Sequence, residues 1–260
     1  MVKDINWYFT DEDYDVFAYD RQAKNGKAEQ DDRKVVRDKL LELNRTLLPK
    51  LYKAGMDLHN HPNSKRNPYQ ITSLIFPCEY NKGRVNWLGV RYGKSEDHLK
   101  LLNYGLSYND KEDKLGFQKY ACMQVDVCYS GVDIGIYHAV PNDALDRAYL
   151  HDNIDVKADE IIAELEKIRF KGYKWNIWNP LIQEEIFFDF DNIEPKEFIN
   201  WYKLNDSVGT YSSMLKHFPR QDERISADNL ENTCFKIFSE LYSLYQLLSW
   251  QPNKIKGVTI

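Results

Sequence analysis

Asp57, His59 and His61 place one carboxylate and two imidazoles at alternate positions of the stretch Asp57-Leu58-His59-Asn60-His61-Pro62. Alternate residues of an extended segment point to the same side. The three side chains can therefore aim at one ion. Imidazole nitrogen and carboxylate oxygen together suit a divalent metal such as zinc, manganese or magnesium. Three protein ligands and an open position lower the pKa of a metal-bound water to about 7, which supplies hydroxide at neutral pH. Lys65, Arg66 and Arg84 follow as candidate phosphate-binding residues. Asp126 and Asp133 are the remote acids that could serve as catalytic base or further ligand. Taken together, these residues describe a metal-dependent, nuclease-like hydrolase of phosphodiesters.

The Asp-x-His-x-His run resembles the opening motif of the polymerase-and-histidinol-phosphatase family of metal hydrolases. The resemblance covers five residues. That family adds later histidines and acids, whereas His98, His138, His151 and His217 form no second His-x-His here. His59-x-His61-Pro62 also resembles the JAMM metalloprotease motif. There the serine and aspartate that should follow are Gln70 and Ser73. Neither family is assigned, and the literal string His-Asn-His is not the spread signature of an HNH nuclease. Gly89-x-x-x-Gly93-Lys94-Ser95 is one residue short of a P-loop, with Leu88 where the first glycine should stand. The plain reading is a strand, a glycine turn and a Ser95 helix cap. Lys82, Arg91 and Lys94 extend the candidate basic rim around Lys65, Arg66 and Arg84, against the alternative of simple solvated charges.

The element that would carry the two acids is Gln118 to Val140. Ala121, Met123, Val125 and Val127 alternate on one arm, and Val132, Ile134, Ile136 and Val140 on the other. A two-residue loop at Ser130-Gly131 would make a hairpin in which Val127 faces Ile134 and Val125 faces Ile136. Its other face carries Gln124, Asp126, Asp133 and Tyr137. Gly135 then lies opposite Asp126 as space for a ligand. Paired carboxylates on a sheet resemble the metal site of restriction-type nucleases, but Ile134-Gly135 stands where those enzymes place x-Lys. The bland alternative is the wet face of a half-buried sheet.

An aromatic-acidic segment occupies residues 1–30. A helix is expected from Asp31 or Asp32, with Val36, Leu40, Leu43 and Leu47 on one stripe, and with Pro49 ending or kinking it near Leu48. Strands are expected over Ile71–Phe76 and Arg84–Tyr92, with a short helix after Ser95. Helices follow from Pro141 and over Ile154–Phe170. Two strands, Gly172–Trp178 and Glu185–Phe190, precede a helix over Pro195–Lys203. Thr210–Phe218 is ambiguous. The clearest helix runs from about Ser226 to Trp250. Its Leu230, Cys234, Ile237, Leu241, Leu244 and Leu248 step by four and three, and Phe238 and Tyr245 widen the apolar face. That favours docking on the chain's own sheet or first helix, with a protein partner or homo-oligomer contact through this helix as the alternative.

These elements read as a single α+β domain over residues 1–260. Its central sheet is mixed or antiparallel, built on a long hairpin and packed by helices, including the long amphipathic one at residues 226–250. A hydrophobic fraction of 43% excludes a disordered chain. A net charge of −5 disfavours nucleic acid as partner, although a local basic patch stays open. No membrane-spanning or signal segment is seen, and the scattered Cys78, Cys122, Cys128 and Cys234 fit reduced buried thiols in the cytoplasm. Two function classes stand. The first is a cytosolic binding or assembly module acting through macromolecular contacts; the second is the hydrolase, with no complete catalytic constellation in sequence.

Overall fold

The computed structural model describes residues 5–60, 72–78, 81–95, 97–98, 120–138, 145–191, 193–206 and 212–250. The fold is α+β. Among the described residues it has five helices, α1 (Asp11–Asp15), α2 (Lys27–Lys53), α3 (Leu145–Glu166), α4 (Pro195–Asp206) and α5 (Leu230–Leu248). The same residues form six strands, β1 (Trp87–Tyr92), β2 (Ala121–Cys128), β3 (Gly131–His138), β4 (Lys174–Asn179), β5 (Glu184–Phe187) and β6 (Ser212–Pro219). The strands form one antiparallel sheet in the order β1-β2-β3-β6-β4-β5.

The central hairpin forms, but two residues out of the expected register. Val125 pairs with Ile134, Val127 with Val132 and Met123 with Ile136. The loop is Tyr129-Ser130, closed by Cys128 opposite Gly131. A two-residue slip keeps every side chain on its face, so alternation alone cannot choose between the two registers. The turn chooses. Gly131 takes φ +150°, and a Cβ on it would stand 2.0 Å from the Phe218 carbonyl oxygen of β6. It is therefore needed inside the strand and not in the loop. The expected burial of Val125, Val127, Ile134 and Ile136 holds, with each fully buried. Val140 lies outside the described residues.

Helix α5 lies over β2 and β3, with α2 beside it over β1; α3 packs on α5 and α4, and α4 reaches β4. The apolar seam of α5, from Leu230 through Leu248, is buried in the chain's own core. Phe238 meets Tyr92 of β1 edge-on at 5.3 Å. On the other flank Trp175 is enclosed by Phe198, Trp201 and Tyr202 and donates its indole N–H to Ser212 Oγ at 2.8 Å. The described part of Thr210–Phe218, a stretch ambiguous in sequence, lies in strand β6, whose Met214 and Phe218 continue this core.

Other expectations are corrected. Helix α2 begins four to five residues earlier than Asp31 or Asp32 and continues past Pro49 to Lys53. One missing N–H is tolerated because Leu47 and Leu51 stay buried on either side. The two helices expected after the hairpin are one continuous α3, since Asp152 and Asn153 bring no glycine or proline break. Of the expected strand at Ile71–Phe76, the described part makes only an isolated bridge from Thr72 to Val90. Cys78 and Cys128 are partly exposed, not buried; all four thiols are free. No helix among the described residues is long and apolar enough to cross a membrane.

A buried ion pair ties the chain's distant parts together. Asp146 of α3 accepts the backbone N–H of Ala121 at 2.8 Å and of Trp250 at 2.6 Å. Lys94 lies 3.2 Å from the same carboxylate and donates to the Trp250 carbonyl at 2.8 Å. The start of β2, the exit of β1, α3 and the end of α5 thus meet at one carboxylate.

Candidate functional site

The Asp57–His59 segment is positioned by the way α2 ends. Gly55, at φ +78°, reverses the chain, with Met56 N–H on Leu51 O at 3.1 Å and Gly55 N–H on Tyr52 O at 2.9 Å. This is the Schellman pattern that closes a helix with a left-handed glycine. The chain then runs back extended. Leu58 is buried, and His59 pairs with Gly93 through two backbone hydrogen bonds of 2.8 and 2.9 Å, just beyond β1. Asp57 and His59 flank Leu58 on its opposite side, as alternation requires.

Their side chains meet. His59 Nε2 lies 2.6 Å from Asp57 Oδ1, and His59 Nδ1 lies 3.2 Å from the Tyr52 hydroxyl. With the proton on Nε2, His59 donates to Asp57 and accepts from Tyr52. The Asp57 N–H donates to the Tyr242 hydroxyl at 2.7 Å, which fixes the segment on α5. Burial raises the pKa of Tyr52, with the Asp57 charge adding to it. Burial also lowers the pKa of His98, on which the charges of Asp57, Lys94 and His59 all act. His98 therefore stands in the electrostatic field of the pair. Its own backbone N–H is capped by Ser95 Oγ at 3.2 Å, the cap read from sequence. His61 and the phosphate candidates Lys65 and Arg66 lie outside the described residues. Among the described residues, no three His, Cys, Asp or Glu side chains gather closely enough to hold one metal ion.

Asp126 and Asp133 face each other directly across β2 and β3. They are not beside His59. Gly93, the partner of His59, adjoins Cys122, four residues up β2 from Asp126, a run of roughly 13 Å at strand spacing. Asp126 is buried and accepts from Arg91 Nη1 at 2.6 Å. Burial pushes its pKa up to about 6, against the attraction of Arg91 and with a push from Asp133. Asp133 is engaged by His217 Nδ1 at 2.9 Å and by the Cys128 thiol at 3.7 Å.

The space that glycine was expected to leave for a ligand is filled by protein. Gly135 lies opposite Gln124, not Asp126. A Cβ there would stand 2.1 Å from the Met214 carbonyl oxygen. Gly89, directly opposite Asp126, makes room for the ion pair, since its Cβ would fall 1.7 Å from Asp126 Oδ1 and 2.4 Å from Arg91 Nη1. Three described members of the expected basic rim are engaged elsewhere. Arg91 is spent on Asp126 and stacks on Trp87, Lys94 is spent on Asp146, and Arg84 lies over the Tyr19 ring at 4.9 Å.

Sequence reasoning missed Tyr52, Tyr242 and Asp146. No local spacing signals them, because each reaches its partner through tertiary packing. The alternation of Asp57 with His59 was the one local signal, and it correctly put the two side chains together. No protein-family model matches this chain, and no curated protein matches it.

Proposed function

We propose that this chain is a cytosolic binding or assembly module that docks a strand of a protein partner along β5. The observation that supports this reading is the contrast between the two edges of the sheet. At the β1 edge, His59 bonds to Gly93, Thr72 bridges to Val90, and the Ser73 N–H donates to Gly89 O at 3.0 Å. At the β5 edge, no strand among the described residues pairs on the outer side. Around that edge stand Leu181, Ile182 and Phe187, exposed to 77%, 53% and 48%. An unpaired edge offers backbone donors and acceptors to an incoming strand, and natural sheets that avoid this guard the edge with charge, proline or cover. Glu184 and Glu185 guard one end of β5, and Phe187 leaves the other apolar.

A photo-crosslinker at position 182 should yield one discrete protein adduct in the native cellular setting. Phe187→Lys, which places a charge on the edge, should abolish it without changing the fold. An adduct to a second copy would make the contact one of assembly. Equal adduct yield from Phe187→Lys, or only diffuse labelling of the wild type, would sink the reading.

A second reading, a metal-dependent phosphodiester hydrolase, is favoured by the 2.6 Å approach of His59 Nε2 to Asp57 Oδ1 with His98 in their field. Two ligands each about 2.1 Å from a tetrahedral ion stand roughly 3.4 Å apart, so a small opening of the pair would admit one. Titration calorimetry with zinc or manganese tests it. Binding that is lost in His59→Ala, together with cleavage of a phosphodiester, carries this reading. A wild-type protein that takes up neither ion excludes it.

A further inference from the structure

We infer, resting on the reading of β5 as a docking edge, that the strand it receives is apolar at one end and basic at the other. From the partner's N-terminus, in antiparallel register, two apolar residues are followed by two that are lysine or arginine.

The hydrogen bonding of β4 to β5 decides which backbone groups of the edge face outward. The Phe188 N–H donates to the Trp175 carbonyl at 2.9 Å, so Phe188 turns its backbone groups toward β4. Residues of an antiparallel ladder alternate in this respect. Ile186 and Glu184 therefore also turn inward, while the N–H and C=O of Glu185 and Phe187 point away from the sheet. An incoming strand bonds to those two residues. The side chains sort by face with the same period. Ile186 pairs with the buried Ile177 on the helix-facing side, and Glu184 stands two residues before it on that side. Glu185 pairs with Trp178 and Phe187 with Asn176 on the second face. Each face of the edge thus carries a carboxylate at one end and an apolar side chain at the other.

Side chains directly opposite each other on one face interact. A strand antiparallel to β5 meets Phe187, Ile186, Glu185 and Glu184 in that order. Apolar residues fit the first two positions and cations the last two. The surrounding charge agrees. Residues 175–195 hold five carboxylates and no lysine, arginine or histidine. Glu184, Glu185, Asp189 and Asp191 are exposed. Two cations reach this region from outside it. Lys174 Nζ lies 5.8 Å from the Phe187 ring, and Arg169 donates to the Asp191 carbonyl at 2.5 Å and pairs with Glu166 at 3.4 Å. Both stand toward the Phe187 end, away from where the partner's cations fall. Leu181 and Ile182 are exposed in the turn before Glu184. They suit lysine or arginine, whose apolar stems can lie along such side chains while the charged head reaches a carboxylate.

A second copy of β5 does not meet these requirements. Two such strands related by a two-fold axis pair antiparallel. The strand holds no cation, so every register over Glu184–Phe187 sets a carboxylate against another carboxylate or against an apolar side chain. The carboxylates that attract a basic strand thereby discriminate against self-pairing.

The probes are end-blocked, fluorescently labelled peptides with threonine at each end, titrated with the full chain and read by anisotropy. The central residues are Val-Val-Lys-Lys in one peptide and Val-Val-Glu-Glu in another. A third repeats the lysine peptide with alternate backbone nitrogens methylated along its bonding edge. The lysine peptide should bind saturably, and the other two should bind about tenfold more weakly or worse. Glu184→Lys combined with Glu185→Lys should reverse the preference between lysine and glutamate peptides. Phe187→Lys should abolish binding of the lysine peptide. Glu160→Lys, on the exposed side of α3, should leave binding unchanged. Equal binding of the lysine and glutamate peptides, lost in Phe187→Lys, would overturn the basic strand and keep β5 as the docking edge. Undiminished binding of the methylated peptide, or equal weakening by Glu160→Lys, would overturn it in favour of diffuse charge attraction. A chain that binds none of the peptides also overturns it, whereas the edge itself stands or falls on the adduct at position 182.

Discussion

Asp146→Ala should be among the most damaging single substitutions in the chain. The carboxylate is 0% exposed and Lys94 beside it 1% exposed. Burial pushes the Asp146 pKa up and the Lys94 pKa down, in each case against the attraction of the partner. Desolvation therefore outweighs Coulomb attraction for both ions, as it commonly does for buried pairs, and the pair's net worth is small. Its removal from one side is a different matter. Deleting the carboxylate leaves a buried ammonium, worth about 3–5 kcal/mol. It also orphans the N–H groups of Ala121 and Trp250, each worth about 1–3 kcal/mol. One group makes all these contacts, so the costs overlap, and about 4–6 kcal/mol is expected. That approaches the whole stability of an ordinary domain, about 5–15 kcal/mol. Urea melts followed by tryptophan fluorescence measure it. Asp146→Asn keeps one acceptor oxygen and should lose about 3 kcal/mol. Adding Lys94→Met to Asp146→Asn should restore about 1–2 kcal/mol, because the uncompensated ammonium is gone. An Asp146→Ala protein within about 1 kcal/mol of the wild type would refute the reasoning. So would a double variant less stable than the sum of the two single losses.

Three further outcomes are expected. Gly89→Ala should cost about 3 kcal/mol or more, since its Cβ falls 1.7 Å from Asp126 Oδ1 and must break the buried pair; an unchanged urea midpoint contradicts this. The pKa of Asp126 is raised from 3.8 to about 6, so the folded state holds its proton more tightly, and the stability this gives is full below about pH 4 and lost as pH rises through about 6. The advantage of Asp126→Asn over the wild type should therefore grow by roughly 3 kcal/mol between about pH 4 and pH 7, and a pH-independent difference counts against it. Leu241→Asp, in the buried seam of α5, should abolish soluble folded protein, whereas a stable variant that changed only its oligomeric state would mean that the seam is an interface.

Apolar periodicity carried most of the fold. The four-and-three steps of α5 name its buried positions, and the alternation of Val125 and Val127 against Ile134 and Ile136 names the buried face of the hairpin. What it could not name was anything that depends on which residue lies opposite which. Thr210–Phe218 is short and carries Lys216 and His217 within its apolar run, so its strand character emerges only when β3 and β4 flank it. Pro49 breaks helices on average, yet burial of Leu47 and Leu51 holds α2 together through it. At the candidate site, Asp57 and His59 were legible because they are two residues apart. Tyr242 is 185 residues from Asp57, and Trp250 is 104 from Asp146, so both contacts exist only in the folded chain. Arg91 and Lys94 read as surface cations because nothing local marks them as buried.

The helix-facing side of the sheet cannot by itself fix how β2 meets β3. Its apolar row is as well matched with Val125 opposite Ile136 as with Val125 opposite Ile134, and burial would be equal. The polar side is where the two registers differ. In the observed one, Asp126 faces Asp133, a like-charge pairing that disfavours it. The pairing persists because each acid has its own counter-group: Arg91 reaches Asp126 diagonally from β1 through the gap at Gly89, and His217 reaches Asp133 from β6. Slipping β3 by two along its neighbours would set Cys128 against Asp133 and Asp126 against Gly135, and would draw Gly131 into the loop. Asp133 would then stand where Gly131 now passes the Phe218 carbonyl, a place with no room for a Cβ. Two glycines, the Arg91–Asp126 ion pair and the His217–Asp133 contact on the second face thus choose between arrangements that the core leaves degenerate. The same commitment takes Asp126 and Arg91 out of reach of any ligand, and leaves the edges and the rim of the fold to meet partners.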